Sequence, residues 1–481
     1  MRNLSSFLPK IKSPLLRGLS WLSLLQGGTA GLIAVVGIFM ARDLGKVLFG
    51  KVNFAQSVLL YAIPIAAFGT HLWGTREVAS TKGNTKSFAF QLVGLRTLLA
   101  VLVFAAISIF ALLKIADPTT RQLTFLFGLS LFPLAWVTDW VLQGQERMQH
   151  VAVTRALRQG GYALGILLVL ILDLDLLWFP MFYLLSVLLA ASYSAILLRW
   201  APDRPGDLVD PQAWGRSLAG SWEIGLAVIA HMGLYRLDSI FVGIYHGEGA
   251  VGIYSAAGNI VLTLLMVPPL LRDVLLPRLT IHWRQDPDKL PDILRKASRG
   301  AIALGLLVAL GISISADDLV LLLYKEEFAS AGSILQIFIW IFPFALLTAV
   351  LSATMIVVGR QRYLLYTILT QAVLHLLAIY LLVPIRGPIA AAEIIVCIDA
   401  LGISLECYFL RDLVGKFLLR IAGLLLAALA SLAFFSGIPA AAELPVLYRL
   451  FGSLFLYVAL LVATGSLRLE DLRTIRDRVP S

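Results

Sequence analysis

The chain has 481 residues, 59% of them hydrophobic and 14% charged, with a mean hydropathy of +0.87. A soluble domain cannot sustain these values because its surface must be polar, so the composition excludes a soluble enzyme and points to an all-α polytopic membrane protein. The net charge of +10 would suit nucleic acid only as a basic patch on a soluble face; here the cations sit between apolar runs and read as topology signals, with no nucleic-acid partner expected.

The basic N-terminus leads into an apolar run of full membrane length with no small-residue cleavage site, which reads as a retained first span. Runs of about 20 residues, the length that crosses a bilayer, lie at 19–40, 52–72, 90–113, 123–143, 151–172 and 177–198. A polar linker follows. Six more runs lie at 218–244, 251–271, 301–323, 333–358, 364–383 and 389–409, then two at 417–435 and 447–464. The fifth and ninth are the weakest, because Arg155 and Arg158 enter one and Asp317 with Asp318 interrupts the other. The expected organisation is a six-helix bundle over residues 1–200, a cytoplasmic linker at 201–217, and a second six-helix bundle over 218–412. Two extra helices at 413–466 and a cytoplasmic tail at 467–481 complete about 14 transmembrane helices. The expected fold class is therefore two pseudo-symmetric six-helix groups plus the two C-terminal helices. Of the 39 Lys and Arg, roughly 29 fall in alternate connections beginning with the N-terminus and eight in the others, so both termini are expected in the cytoplasm.

An internal duplication underlies the two groups of six. The stretch starting at Leu44 aligns without a gap on the one starting at His246, matching Gly45 with Gly247, Gly50 with Gly252 and Ala55 with Ala257; the same register pairs Arg76 with Arg278. With a slightly longer offset, GQER at Gly144 matches GRQR at Gly359 and sets Arg147 opposite Arg362. Six spans per half is an even number, so the halves enter the membrane in the same orientation, related by an axis along its normal. In the longest cytoplasmic connection, Leu290, Ile293, Leu294 and Ala297 recur at helical spacing amid Lys289, Arg295 and Lys296, a pattern expected to lie on the inner leaflet.

Ionisable residues at membrane depth are costly and mark candidate sites. Glu223, His231 and Asp238 share one stripe of the seventh span, with Arg236 on another face. Arg42 and Asp43 end the first span at a depth similar to Arg236 and Asp238, so an extracytoplasmic gate is expected, with Asp238 holding Arg42 while it is shut. Arg96 in the third span and Asp139 in the fourth have similar depth and are expected to pair near the cytoplasmic side. Pro268 and Pro269 should break the eighth helix beside Arg272, making Arg272 a candidate substrate ligand. The candidate substrate-binding set is Arg42, Arg236, Arg272 and Arg96; the candidate gate or ion-coupling set is Asp238, Glu223, His231 and Asp43.

Several chemistries have nothing to stand on. The stretch from Gly45 to Lys51 has P-loop spacing but is followed by Val52, where a hydroxyl is needed for Mg²⁺, and it follows a membrane span and not a strand. No zinc-spaced cysteine set, H-E-x-x-H or G-x-S-x-G occurs, so no metal, cofactor or enzymatic activity is expected. Cys397 and Cys407, ten residues apart in one apolar run, are too far apart on a helix for a disulfide.

Four stretches carry a family resemblance: ARDLGKVLFGKVNFAQS after the first span, FGTHLWGTREVA after the second, DWVLQGQERM after the fourth, and LYRLDSIFVGIYHGEGAVGIYSAA across the seventh and eighth. In this order they resemble the polysaccharide flippases of the multidrug/oligosaccharidyl-lipid/polysaccharide exporter superfamily, which includes O-antigen flippases. The resemblance implies two six-helix bundles around a central cavity, alternating access in a bacterial inner membrane and a polyprenyl-diphosphate-linked glycan as substrate, with the bilayer and glycan assembly enzymes as partners. A diphosphate needs arginines as bidentate partners, while the polyprenyl tail stays in lipid or in a groove beside the two terminal spans. The alternatives are a cation-coupled drug exporter of the related multidrug and toxin extrusion (MATE) type, favoured by Glu223, Asp238 and His231, and a membrane glycosyltransferase or glycan polymerase. The polymerase should carry a long outer loop with carboxylates, and no outer connection here exceeds about 15 residues.

Overall fold

The computed structural model describes residues 14–80, 85–198, 208–415, 448, 451, 452, 454–457 and 459. Among these the chain is helical almost throughout and contains no strand. Backbone satisfaction requires this in lipid, where an unpaired N–H or C=O has no water to turn to. Eight helical stretches among the described residues are long and apolar enough to cross a membrane. The run at 417–435 lies outside the described residues, that at 447–464 is described only in part, and the linker at 201–207 and the tail at 467–481 also lie outside.

The chain divides into two compact units, Met1–Gly252 and Ile253–Ser481. In the first, α1 (Pro14–Ala67) carries the first two runs, bent at Gly45, whose φ of 70° and ψ of 170° suit a residue without a Cβ. A second break at Phe68 and Gly69, both with positive φ, leads into α2 (Thr70–Ser80). The third run is α3 (Thr85–Lys114). The fourth is broken into α4 (Pro118–Leu129), α5 (Leu131–Ala135) and α6 (Asp139–Gly144). Next come α7 (Met148–Ile171) and α8 (Trp178–Leu197), and α7, with its two arginines, is not among the eight apolar stretches.

The helix α9 (Pro211–Leu264) repeats the design of α1: both are 54 residues long, and α9 bends at Gly247 with φ 78° and ψ 177°. The two bends fall on the glycines that the sequence duplication pairs. Asp210 caps α9 by accepting from the amides of Gln212 and Ala213.

In the second unit, the eighth run breaks at Leu265 and Met266, and α10 (Val267–Gln285) begins with Pro268 and Pro269 in its first turn, as expected for residues that cannot donate there. Next are α11 (Leu290–Ile314) and α12 (Ala316–Leu323), where Asp317 and Asp318 take up the first turn and so suit the positive end of the helix dipole. Then follow α13 (Ala331–Phe338), α14 (Ile341–Val357), α15 (Gln361–Arg386), α16 (Pro388–Phe409) and the short α17 (Arg411–Val414).

Two expectations need correction here. Leu290 and Leu294 do not face a membrane surface: both are fully buried, and Leu290 packs with Leu279 on α10 and Ala353 on α14. The start of the apolar stripe of α11 is claimed by its own unit, while Arg295 and Lys296 stay exposed. The pairing of Arg147 with Arg362 is also shifted. Arg147 donates to the Leu142 carbonyl and Arg360 to that of Met355, each just after a positive-φ residue, Glu146 or Gly359. This shared helix ending makes Arg360, not Arg362, the backbone equivalent of Arg147.

Candidate functional site

A cluster of charge sits inside the first unit where α2, α3, α6 and α7 meet. Arg96 and Asp139 are both only 6% exposed. The break before α6 frees the Val137 carbonyl, which accepts from Arg96 Nη1 at 3.4 Å, while Arg96 Nε donates to Thr70 Oγ1 at 3.1 Å. Trp140, fully buried, places its ring 5.8 Å from the Arg96 guanidinium carbon, within cation–π range. The aromatic wall behind it is Phe88 and Trp73 with Leu92 and Leu95. Asp139, in the first turn of α6, accepts from Arg155 Nε at 3.4 Å and lies 3.7 Å from His71 Nδ1. Arg158, one turn along α7 from Arg155, is in electrostatic reach of Asp139, His71 and the buried Tyr183.

The expected pair Arg96 with Asp139 is therefore only part of what forms. The two are electrostatically coupled, but the carboxylate's direct partners are Arg155 and His71. Sequence reading passed over His71, near the end of the second apolar run, and treated Arg155 and Arg158 as blemishes in a span; the break at Phe68 and Gly69 is what sets His71 on α2.

A second constellation holds α1 just after its bend at Gly45. Lys51 Nζ bonds Asp117 Oδ1 at 2.9 Å, and Asp117 caps α4 through the Thr120 amide at 2.7 Å. The Thr120 hydroxyl lies 2.8 Å from Asp117 Oδ2 and 3.1 Å from Glu248 Oε1, so its proton goes to one or the other. Burial pushes the Asp117 carboxyl up, but the Lys51 and Thr120 bonds outweigh it and hold the group below the usual carboxylate range. Here the segments just after the two bends cross at a backbone contact. A Cβ on Gly50 would strike the Glu248 carbonyl, and one on Gly252 the Lys46 carbonyl. Since Lys46 and Gly50 match Glu248 and Gly252 in the duplication, the contact is reciprocal, as a local two-fold demands.

The other predicted residues are more scattered. Arg42 and Asp43 are exposed and form no hydrogen bond or ion pair with a described residue, so the expected Arg42–Asp238 bond is not made. Asp238 is buried at 1% exposure, Arg236 is half-buried, and Glu223 and His231 are exposed, so the shared stripe divides between interior and surface. His231 stacks edge-on against Tyr235 at 5.4 Å. In the second unit Arg272 is exposed and its nearest ionic partner is the adjacent Asp273, at 3.6 Å. That unit buries a polar stripe that sequence reading missed: Thr367, Gln371 and His375 on α15 with Asp399 and Glu406 on α16. Gln371 donates to the Ile398 carbonyl at 3.0 Å. The rule applied to Glu223 and Asp238 would have flagged these two carboxylates. Cys397 and Cys407 are both free thiols, and no group of metal-ligating side chains occurs among the described residues.

A family model described as "Polysaccharide biosynthesis protein" matches residues 15–281, more than half of the chain. The chain belongs to this family. A search of curated proteins finds no match to it. Among solved structures, this family member is similar to a lipid II flippase, MurJ, in an inward closed conformation, with a TM-score of 0.69 at 11% identity over 91% of this chain and 97% of that one. It is also similar to an inward-facing multidrug resistance MATE family transporter of the MOP superfamily, with a TM-score of 0.63 at 15% identity, over 84% and 99% of the two chains. A third likeness is to a MOP superfamily transporter from Pyrococcus furiosus, with a TM-score of 0.52 at 15% identity over 84% and 97%. This polysaccharide biosynthesis family protein is thus a multi-pass membrane protein with the fold of MOP-superfamily transporters and flippases.

Proposed function

We propose that this protein is a flippase that carries an undecaprenyl-diphosphate-linked oligosaccharide from the cytoplasmic to the outer leaflet of a bacterial inner membrane by alternating access. The observation that carries this reading is the polysaccharide biosynthesis match across the first half of a chain with a flippase-like fold. Buried guanidinium at Arg96 and exposed guanidinium at Arg42 and Arg272 suit a diphosphate cargo, for which arginine offers forked, permanently charged donors. In this scheme Arg42, Arg236, Arg272 and Arg96 are stations for the phosphates, while Asp238, Glu223, His231 and Asp43 serve the gate or the coupling ion. The proposed bundles, residues 1–200 and 218–412, have both chain termini on the cytoplasmic side, in keeping with the charge asymmetry.

The buried carboxylates Asp399 and Glu406 support a second reading, a cation-coupled drug exporter. One experiment separates the two. Deletion of the gene should cause a lipid-linked glycan intermediate to accumulate, detected by mass spectrometry of extracted lipids and abolished by the wild-type copy. An unchanged lipid profile, with increased sensitivity to cationic drugs, would replace the flippase by the exporter.

A further inference from the structure

The cluster around Asp139 holds more hydrogen-bond donors and more positive charge than its protein partners use. Arg96, Arg155 and Arg158 bring three guanidiniums to one carboxylate, and His71 supplies no negative charge. Charge poorly compensated away from bulk water is expensive, and among the described residues the surplus here is two positive charges, with Arg96 buried and Arg155 and Arg158 half-buried. Donor accounting leads to the same place. Arg155 uses only Nε on Asp139, so its two terminal nitrogens make no hydrogen bond to a described residue. Arg158 makes no hydrogen bond or ion pair to a described residue, although it lies one turn along α7 from Arg155 and within electrostatic reach of Asp139 and Tyr183. Arg96 has spent Nε and Nη1 and keeps Nη2. A guanidinium has five N–H donors, so the unspent capacity suits a ligand with several acceptor oxygens and at least two negative charges. The site is reachable: the side chains of Arg155 and His71 are 24% and 31% exposed, while Arg96 and Trp140 form a rigid floor.

We infer that Arg155 and Arg158, backed by Arg96, form a binding site for a diphosphate, and that Asp139 positions Arg155 for it. A carboxylate bonded at Nε leaves the outer edge of the guanidinium, with one N–H from each terminal nitrogen, open to a phosphate. This deepens the flippase reading and rests on it for the source of the ligand, a lipid-linked diphosphate in place of free pyrophosphate.

The test uses the purified full-length protein in nanodiscs and measures binding of undecaprenyl diphosphate, of inorganic pyrophosphate, and of the lipid probe against excess phosphatidylglycerol. We expect wild type to bind a diphosphate probe, R155Q/R158Q to bind at least tenfold more weakly, R155K/R158K to lose less, and K296Q on the exposed face of α11 to match wild type. Binding of the lipid probe alone identifies a lipid headgroup; equal binding of pyrophosphate identifies the free anion. Both support the site. A merely structural arginine would lower the melting temperature when removed. Loss of a surplus cation should instead raise that of the ligand-free R158Q protein, while abolishing its further rise with diphosphate. The inference falls if wild type binds neither probe, if R155Q/R158Q binds within twofold of wild type, or if phosphatidylglycerol displaces the lipid probe. A failure here, alongside a lipid-linked intermediate in the deletion strain, would leave the flippase intact and move its phosphate site elsewhere.

Discussion

Three arginines and a histidine converge on the single carboxylate of Asp139, and that imbalance makes it the most sensitive position of the cluster. Asn at this position keeps the shape and removes the counter-charge that the described residues supply, leaving Arg96, Arg155 and Arg158 to repel one another beside a buried floor. Removing one member of a buried ionic set typically costs about 3 to 5 kcal/mol. D139N should therefore melt well below wild type in detergent. R155Q should cost much less, since Asp139 keeps His71, Arg96 and Arg158 nearby. Equal melting temperatures for D139N and R155Q would mean that the carboxylate is not the hub. The sequence exposes Arg96 and Asp139 by their depth in apolar runs, but depth says nothing about azimuth. Which cation reaches Asp139 depends on how α7 is rotated against α6, and that belongs to packing.

Among the elements, α1 and α9 are where duplication turns into geometry. Each is bent at a glycine with positive φ, Gly45 and Gly247, and each then presents a second glycine, Gly50 or Gly252, to the other's backbone. The carbonyls met there are main-chain atoms with no side chain to swing aside, so even a methyl group must push the helices apart. G50A and G252A should therefore lower the melting temperature by similar amounts, and the double variant by less than the sum, because one displacement relieves both clashes. Thermal unfolding followed by tryptophan fluorescence checks this, and a fully additive double variant would argue against a shared contact. The alignment makes these glycines legible as a pair. It does not reveal that they touch, nor that the helix ending at Glu146 matches the one at Gly359, because an alignment compares residue types and a helix ending is a backbone conformation that Glu adopts here and Gly adopts there.

On the scale of the whole molecule, the crossing and the network of Lys51, Asp117, Thr120 and Glu248 tie α1 to α4 and α9 within the first unit, and under the proposed flippase function they are a candidate clasp. Alternating access requires such a contact to part in each cycle. A Cβ added to Gly249 would sit 3.8 Å from Val47 Cγ2, close enough to make cysteines at these two positions a cross-linking pair. Oxidised V47C/G249C should stop glycan export in complemented cells, and reduction should restore it. Export that continues with the cross-link fully formed would show that this contact is static. The last two apolar runs, at 417–435 and 447–464, were expected to flank a lipid groove; the first lies outside the described residues and the second is only partly within them.

Much was determined by the sequence alone: a helical membrane protein, its duplication, the break at Pro268 and Pro269, and the family resemblance carried by four ordered stretches. These are properties of composition, period and order along one chain, and they survive because the bilayer allows few backbone solutions. Tertiary structure decided the rest. The stripe of Glu223, His231 and Asp238 is one face of a helix in isolation, yet only Asp238 is buried, because neighbouring helices cover an arc of that face and not its full length. The apolar side of α11 found a protein partner in place of lipid for the same reason. Amphipathicity reports what a surface can be buried against, and only the packed chain selects which neighbour takes it.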